Sequence, residues 1–233
     1  AAGVAEVACA RRPRVTVLAT GSELVPPGTP LEPGQVYEAN ALMLASALAA
    51  AGADVERLPA VADDEAAHRV AIERGLEADV LVTSGGVSVG PHDLVRRIES
   101  ELGVEEVFWQ VAMRPGKPVA FGLRGRTLVF GLPGNPVSSL VGCELFVKPA
   151  VRALQGMTDP LPRYEHGRLG KALRRNESRD ELVRARVAGD ALEPLTGQES
   201  HMIARAAAAD ALVLVSRGDG EIDAGATVAF LRL

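Results

Sequence analysis

Twice in this chain a short apolar strand breaks into a glycine-rich turn and then into a helix-forming stretch. Asp79 to Thr83 (DVLVT) runs into Ser84-Gly85-Gly86-Val87-Ser88-Val89-Gly90-Pro91-His92-Asp93, and Thr127 to Phe130 (TLVF) runs into Gly131-Leu132-Pro133-Gly134-Asn135-Pro136. Strands that are apolar along their whole length are buried on both faces, which is the condition of a parallel sheet covered by crossover helices. In such a sheet, a glycine turn at a strand's carboxyl end presents backbone N–H groups to an anionic ligand. The pattern therefore predicts an α/β protein with an anion-binding rim.

The rest of the chain is consistent with this. Arg14 to Thr20 (RVTVLAT) reads as a first buried strand ending at Gly21, and Asn40 to Ala51 as an apolar-faced helix stopped by Gly52. Val55 to Pro59 reads as a second strand; Asp63 or Asp64 then caps a helix running to Arg74. Asp93 to Leu102 and Val137 to Leu154 are further helices, with Val104 to Val111 and Pro118 to Phe121 as strand candidates. Beyond Gly156 the pattern changes. Glu181 to Val187, Ala191 to Leu195, Ala211 to Ser216 and Thr227 to Leu233 are short strands between Gly and Asp turns, and Met202 to Ala209 allows a short helix. These predict a small, mostly antiparallel sandwich or barrel. The expected divisions are an incoming linker at 1–13, an α/β domain at 14–156 and a β domain at 163–233. Ala1 to Ala10, without an initiator Met, reads as a linker arriving from something upstream.

Composition narrows the partners. An apolar share of 47% with only 3% aromatics predicts a core of Ala, Val and Leu, and a net charge of −5 argues against nonspecific nucleic-acid binding. Cys9 and Cys143 are too few and too distant for a disulfide framework or a zinc knuckle, which fits a reducing, cytoplasmic setting. No apolar run reaches membrane-spanning length, so no membrane partner is expected.

The site chemistry follows from residue types around the loops. Gly85, Gly86 and Gly90 permit tight turns, and Ser84 and Ser88 offer hydroxyls to phosphate oxygens. Asp93 would repel an anion unless a cation stands between them, and Mg²⁺ bridging a phosphate and Asp93 resolves the conflict; helix capping is the plain alternative. Glu23 and Asp63 follow the first and second strands, so parallel strands bring them with Asp93 to one rim, though Asp63 and Asp64 also read as caps. Pro133 and Pro136 stiffen the second loop, Gly134 permits backbone approach, and Asn135 is either a ligand contact or only an N-cap. Arg114 and Lys117, in the turn Met113-Arg114-Pro115-Gly116-Lys117-Pro118, supply either anion contacts or solvated surface charge. His92 is the better placed histidine, His68 falls on a helix, and His166 and His201 read as packing or surface groups of the second domain.

Taken together, TGSEL, YEANALML, TSGGVSVGPHD, MRPGKPVAFG, GLPGNPVSS and TGQESHM resemble the molybdopterin molybdenumtransferase family, the MoeA and gephyrin E-domain group, over residues 14 to 233. The resemblance implies a three-layer molybdopterin-binding fold with a mostly parallel sheet, then an all-β barrel-like domain. It implies a Mg²⁺-dependent transferase that takes adenylylated molybdopterin and molybdate and releases AMP and molybdenum cofactor. By motif, Glu23, Asp63 and Asp93 become its acidic group, Ser84 and Gly85 to Gly90 the cradle for the pterin phosphate, and Pro133 and Pro136 part of the pocket lining. Departures are Gln110 and Arg114, where Lys is frequent, and Ser22, where Asp is frequent.

Family members usually carry two further domains before the segment matching Arg14. The expectation is thus a piece of a longer protein, a homodimer in full-length form and weakly active alone, with an upstream adenylyltransferase as a partner. The alternatives are an adenylyltransferase on the same fold and a noncatalytic binding scaffold. The trailing β domain and GLPGNP argue against the first, and the rim carboxylates against the second.

Overall fold

The computed structural model describes residues 3–87 and 94–233. The first part contains β1 (Arg14–Ala19), the short parallel pair β2 (Leu24–Val25) and β3 (Val36–Tyr37), then α1 (Asn40–Ala50), β4 (Asp54–Arg57), α2 (Glu65–Gly75) and β5 (Val80–Ser84). After α3 (Leu94–Glu101) come β6 (Glu105–Trp109), β7 (Met113–Arg114), β8 (Ala120–Arg124) and β9 (Thr127–Leu132). A long helical segment follows: α4 (Pro136–Gly142), a π-helical stretch at Cys143–Val147, and α5 (Lys148–Leu154). The widened turn immediately precedes Pro149, whose missing N–H removes one α-helical bond.

The main sheet has the order β4-β1-β5-β9-β8-β6. Its first four strands are parallel, as expected of a mostly parallel sheet, whereas β8 is antiparallel to both β9 and β6, so the sheet is mixed at that edge. The reason is local: β8 and β9 are joined by a tight Gly125-Arg126 turn, which leaves no room for a crossover. Side chains alternate between the faces. Val15, Val17, Val80, Val82, Phe130 and Leu132 share one core with Leu44, Leu48, Val141 and Val151 of the α1 and α4–α5 face. Leu18, Leu81 and Val129 pack with Ile72, Leu76, Val95 and Ile98 of α2 and α3 on the other. Burial of these aliphatic chains on both sides holds the strand ends in fixed register, each large side chain contributing about 1.5–3 kcal/mol.

No helix or strand lies between Leu154 and Tyr164. The second part comprises β10 (Tyr164–Leu169), β11 (Leu173–Arg174), β12 (Asp180–Ala188), β13 (Ala191–Pro194), α6 (Ile203–Ala206), β14 (Ala211–Val215), β15 (Glu221–Ile222) and β16 (Thr227–Arg232). The order β13-β10-β16-β14-β12, closed by pairing of β12 with β13, makes a five-stranded barrel. Strand β7, read from sequence only as part of a turn, pairs in parallel with the start of β12. Met113, Leu182, Leu212 and Leu231 belong to the same buried cluster as the α1 and α4–α5 face. The barrel is therefore joined to the α/β part by a shared core as well as by the chain. Among the described residues no helix is long and apolar enough to cross a membrane.

Candidate active site

The carboxyl ends of β1, β5 and β9 open into a cleft of about 760 Å³, walled by Glu23, Asp63, His68, Gly85, Gly86 and Asn135 among others. A neighbouring recess of about 570 Å³ shares Thr20, Glu23, Gly134 and Asn135 with it and extends to Asn40, His201 and Ile203. The two form lobes on either side of the β1 end and the second glycine loop.

Glu23 is positioned by its own loop. Its carbonyl accepts the Val36 N–H at 2.8 Å, and its carboxylate lies across Gly21, where a Cβ would come within 2.5 Å of Oε2. Asp63 is held differently. The Ser22 hydroxyl donates to its Oδ2 at 2.9 Å while the Asp63 N–H donates to Ser22 Oγ at 2.9 Å. Capping of α2 falls to Asp64 alone, whose Oδ1 accepts the Ala67 N–H at 2.8 Å, so the Asp63 carboxylate is left to the cleft. An Asp at position 22 would put a second negative charge where Ser22 now donates a proton.

The two glycine loops abut. Gly85 and Gly86 have φ of +99° and +65°, and a Cβ on Gly85 would overlap the Thr20 carbonyl and come within 2.8 Å of its Oγ1. Only glycine fits there. A Cβ on Gly134 would instead sit 3.8 Å from the Gly85 Cα, in ordinary contact. Below them Asn40 Nδ2 donates to Ser84 Oγ at 2.9 Å and to the Gly134 carbonyl at 2.7 Å, and the Ser139 hydroxyl bonds the Pro133 carbonyl. Ser84, 2% exposed, also lies 3.2 Å from Ser139 Oγ. Its hydroxyl is thus engaged in tying the loops together, where the sequence reading offered it to a phosphate.

Asn135 stands at the N-cap position of α4 but makes no capping bond, and it lines both lobes. The start of α4 is not an open anion site. Pro136 has no N–H, and the Val137 N–H donates to the Ser200 carbonyl of the barrel at 3.0 Å. That barrel loop is itself anchored by Arg184, 1% exposed, which donates to the carbonyls of Gly197 (2.7 Å), Met202 (3.0 Å) and Glu199 (3.2 Å). Burial lowers the Arg184 pKa from its ordinary value. The same loop brings His201 and Ile203 to the second lobe, a role the sequence reading did not assign to His201.

Arg114 and Lys117 are not brought to the cleft. Arg114 donates to Glu181 at 3.1 Å and lines a separate depression with Arg174, Arg175 and Asn176, because β7 pairs with the barrel. Lys117 is exposed, and Pro118 next to it is the residue that reaches the cleft wall. His68, set aside on sequence grounds as helical, is buried and lines the cleft; its spacing of four residues from both Asp64 and Ile72 was the available signal. Ser88, Gly90, His92 and Asp93 lie outside the described residues. Val87 and Leu94, on either side of that segment, line the cleft. Among the described residues no three carboxylate, histidine or cysteine groups stand together as a metal cage.

A rim cleft with two carboxylates and two abutting glycine loops, flanked by a barrel, defines a small-molecule-binding α/β protein. Residues 16–153 match the family described as "Probable molybdopterin binding domain", and residues 166–233 match "MoeA C-terminal region (domain IV)". The chain belongs to this molybdopterin-binding-domain family. It is 44% identical over 168 residues to molybdopterin molybdenumtransferase 2 of Mycobacterium tuberculosis, covering 69% of this chain and 41% of that protein. It is 38% identical over 234 residues to molybdopterin molybdenumtransferase 1 of the same organism, covering 94% and 55%. A crystal structure of a molybdopterin biosynthesis MoeA protein from Pyrococcus horikoshii superposes with a TM-score of 0.83 at 30% identity, covering 95% of this chain and 54% of that one. The chain thus spans about half the length of these relatives.

Proposed function

We propose that this chain carries the substrate cleft of a molybdopterin molybdenumtransferase, one that consumes adenylylated molybdopterin and molybdate and releases AMP and molybdenum cofactor. The observation that supports this most is the pairing of Glu23 and Asp63 on the wall of one cleft with the Gly85-Gly86 and Pro133-Gly134-Asn135 loops. Carboxylate oxygens suit Mg²⁺, and Glu23 and Asp63, joined by Asp93, would hold it. When bound, Mg²⁺ neutralises charge on the phosphoanhydride. The chain's own residues bind and orient. Ser22 fixes the rotamer of Asp63, Gly85 and Gly86 let the backbone approach the ligand, and Asn135 offers an amide that makes no capping bond. The reading extends to a homodimer of the longer protein, with an adenylyltransferase supplying its substrate.

The test is AMP release from adenylylated molybdopterin, followed chromatographically with and without Mg²⁺. Asp93→Ala should abolish the Mg²⁺-dependent release with much less loss of pterin binding. Unchanged release in that variant refutes the assignment of Asp93, and consumption of ATP in place of the adenylylated substrate refutes the transferase reading.

A further inference from the structure

His68 is the most deeply buried titratable group on the cleft wall, at 1% exposure. Its Nδ1 lies 2.8 Å from the Asp64 carbonyl, which can only accept, so Nδ1 carries the proton. In the tautomer with the proton there, Nε2 is the lone-pair nitrogen. No hydrogen bond to Nε2 is found among the described residues. A core histidine is ordinarily satisfied at both nitrogens. Among the described residues the ring of this one bonds once, to its own helix start, and it borders the cleft.

We propose that His68 is a ligand contact, reading a neutral N–H donor on a bound nitrogen heterocycle through Nε2. The inference rests on the transferase reading and deepens it, by assigning the His68 part of the first lobe to a base edge and not to a phosphate. An oxyanion offers only acceptors and would meet the Nε2 lone pair unfavourably. The proposed substrate contains two heterocycles with suitable donors, its pterin and its adenine, and both meet the same requirement. Leu94 and Val95, which line the same cleft, supply the apolar wall that a flat ring needs.

The test is calorimetric titration of the 233-residue chain with two separate probes, AMP and a phosphate-free 6-hydroxymethylpterin. His68→Leu fills the same space without an acceptor and should weaken one probe about tenfold, as loss of one buried hydrogen bond requires. His68→Gln, which restores an acceptor, should stay within about threefold of wild type. The probe that responds identifies the heterocycle. The proposal is overturned if His68→Leu binds both probes as wild type does, or if wild type binds neither. A ¹⁵N spectrum of the imidazole placing the proton on Nε2 overturns it as well. Neither titration needs turnover, so a failure of AMP release would count against the transferase reading alone.

Discussion

The junction of the two glycine loops makes a quantitative claim about two alanine substitutions. Gly85 has φ of +99°, and its added Cβ would overlap the Thr20 carbonyl, which is backbone and cannot swing away. Holding alanine in that conformation costs about 1–3 kcal/mol, and displacing the β1 end to relieve the overlap costs about 1–3 kcal/mol more. Gly85→Ala should therefore lose roughly 2–6 kcal/mol, lowering Tm by roughly 4–24 °C for a chain of this size. Gly134 lies outside the left-handed region, and its nearest neighbour would be 3.8 Å away. Gly134→Ala should stay within about 0.5 kcal/mol of wild type. Because Gly134 lines both lobes, the new methyl should still weaken AMP binding. Guanidinium denaturation of both variants, with titration of the second, makes the comparison. Equal stability loss in the two would refute the steric reading of Gly85.

Other consequences are measurable in the same preparations. Asp79, bonded to the Arg11 guanidinium at 2.5 and 2.6 Å and to the Arg14 N–H at 2.7 Å, has its pKa lowered from 3.8 to about 2, chiefly by the Arg11 hydrogen bond. A depressed carboxylate pKa stabilises above its unfolded value. This contribution, about 1 kcal/mol after allowing for the exposed arginine, should be lost as pH falls from about 4 to 2, and Asp79→Asn should flatten that part of the stability–pH curve. Cys9 is exposed, whereas burial pushes the Cys143 thiol up to about 12; a thiol reagent should modify Cys9 in the native protein and both cysteines only after unfolding. Arg184→Met should cost about 3 kcal/mol or more by orphaning the carbonyls of Gly197, Glu199 and Met202. Hydrogen exchange should then quicken first at the Val137 amide, which depends on that loop.

Much of the fold was legible because its signals are local. Near-continuous apolar runs within RVTVLA, VLVTS and TLVFGL mark strands buried on both faces, and each does carry a two-sided core. Met113-Arg114 was illegible because two residues have no periodicity; their pairing partner, β12, lies some seventy residues on. That one pairing took Arg114 away from the cleft and gave it to Glu181. The partners of Ser84 were illegible for a related reason. Its hydroxyl belongs to a network with Asn40 and Ser139, drawn from two separate helices.

Sequence by itself determined the strands, the glycine positions and the presence of Glu23 and Asp63 just beyond β1 and β4, because periodicity, backbone permissiveness and residue order are properties of neighbouring residues. Tertiary structure alone decided which polar groups remain available to a ligand. Asp64 took the cap and released Asp63; Ser84 was consumed in tying the loops; Val137 was satisfied by the barrel; His68 was turned to the cleft. A hydrogen-bonding group is free only when no other segment reaches it, and that depends on distances between parts of the chain that are far apart in sequence.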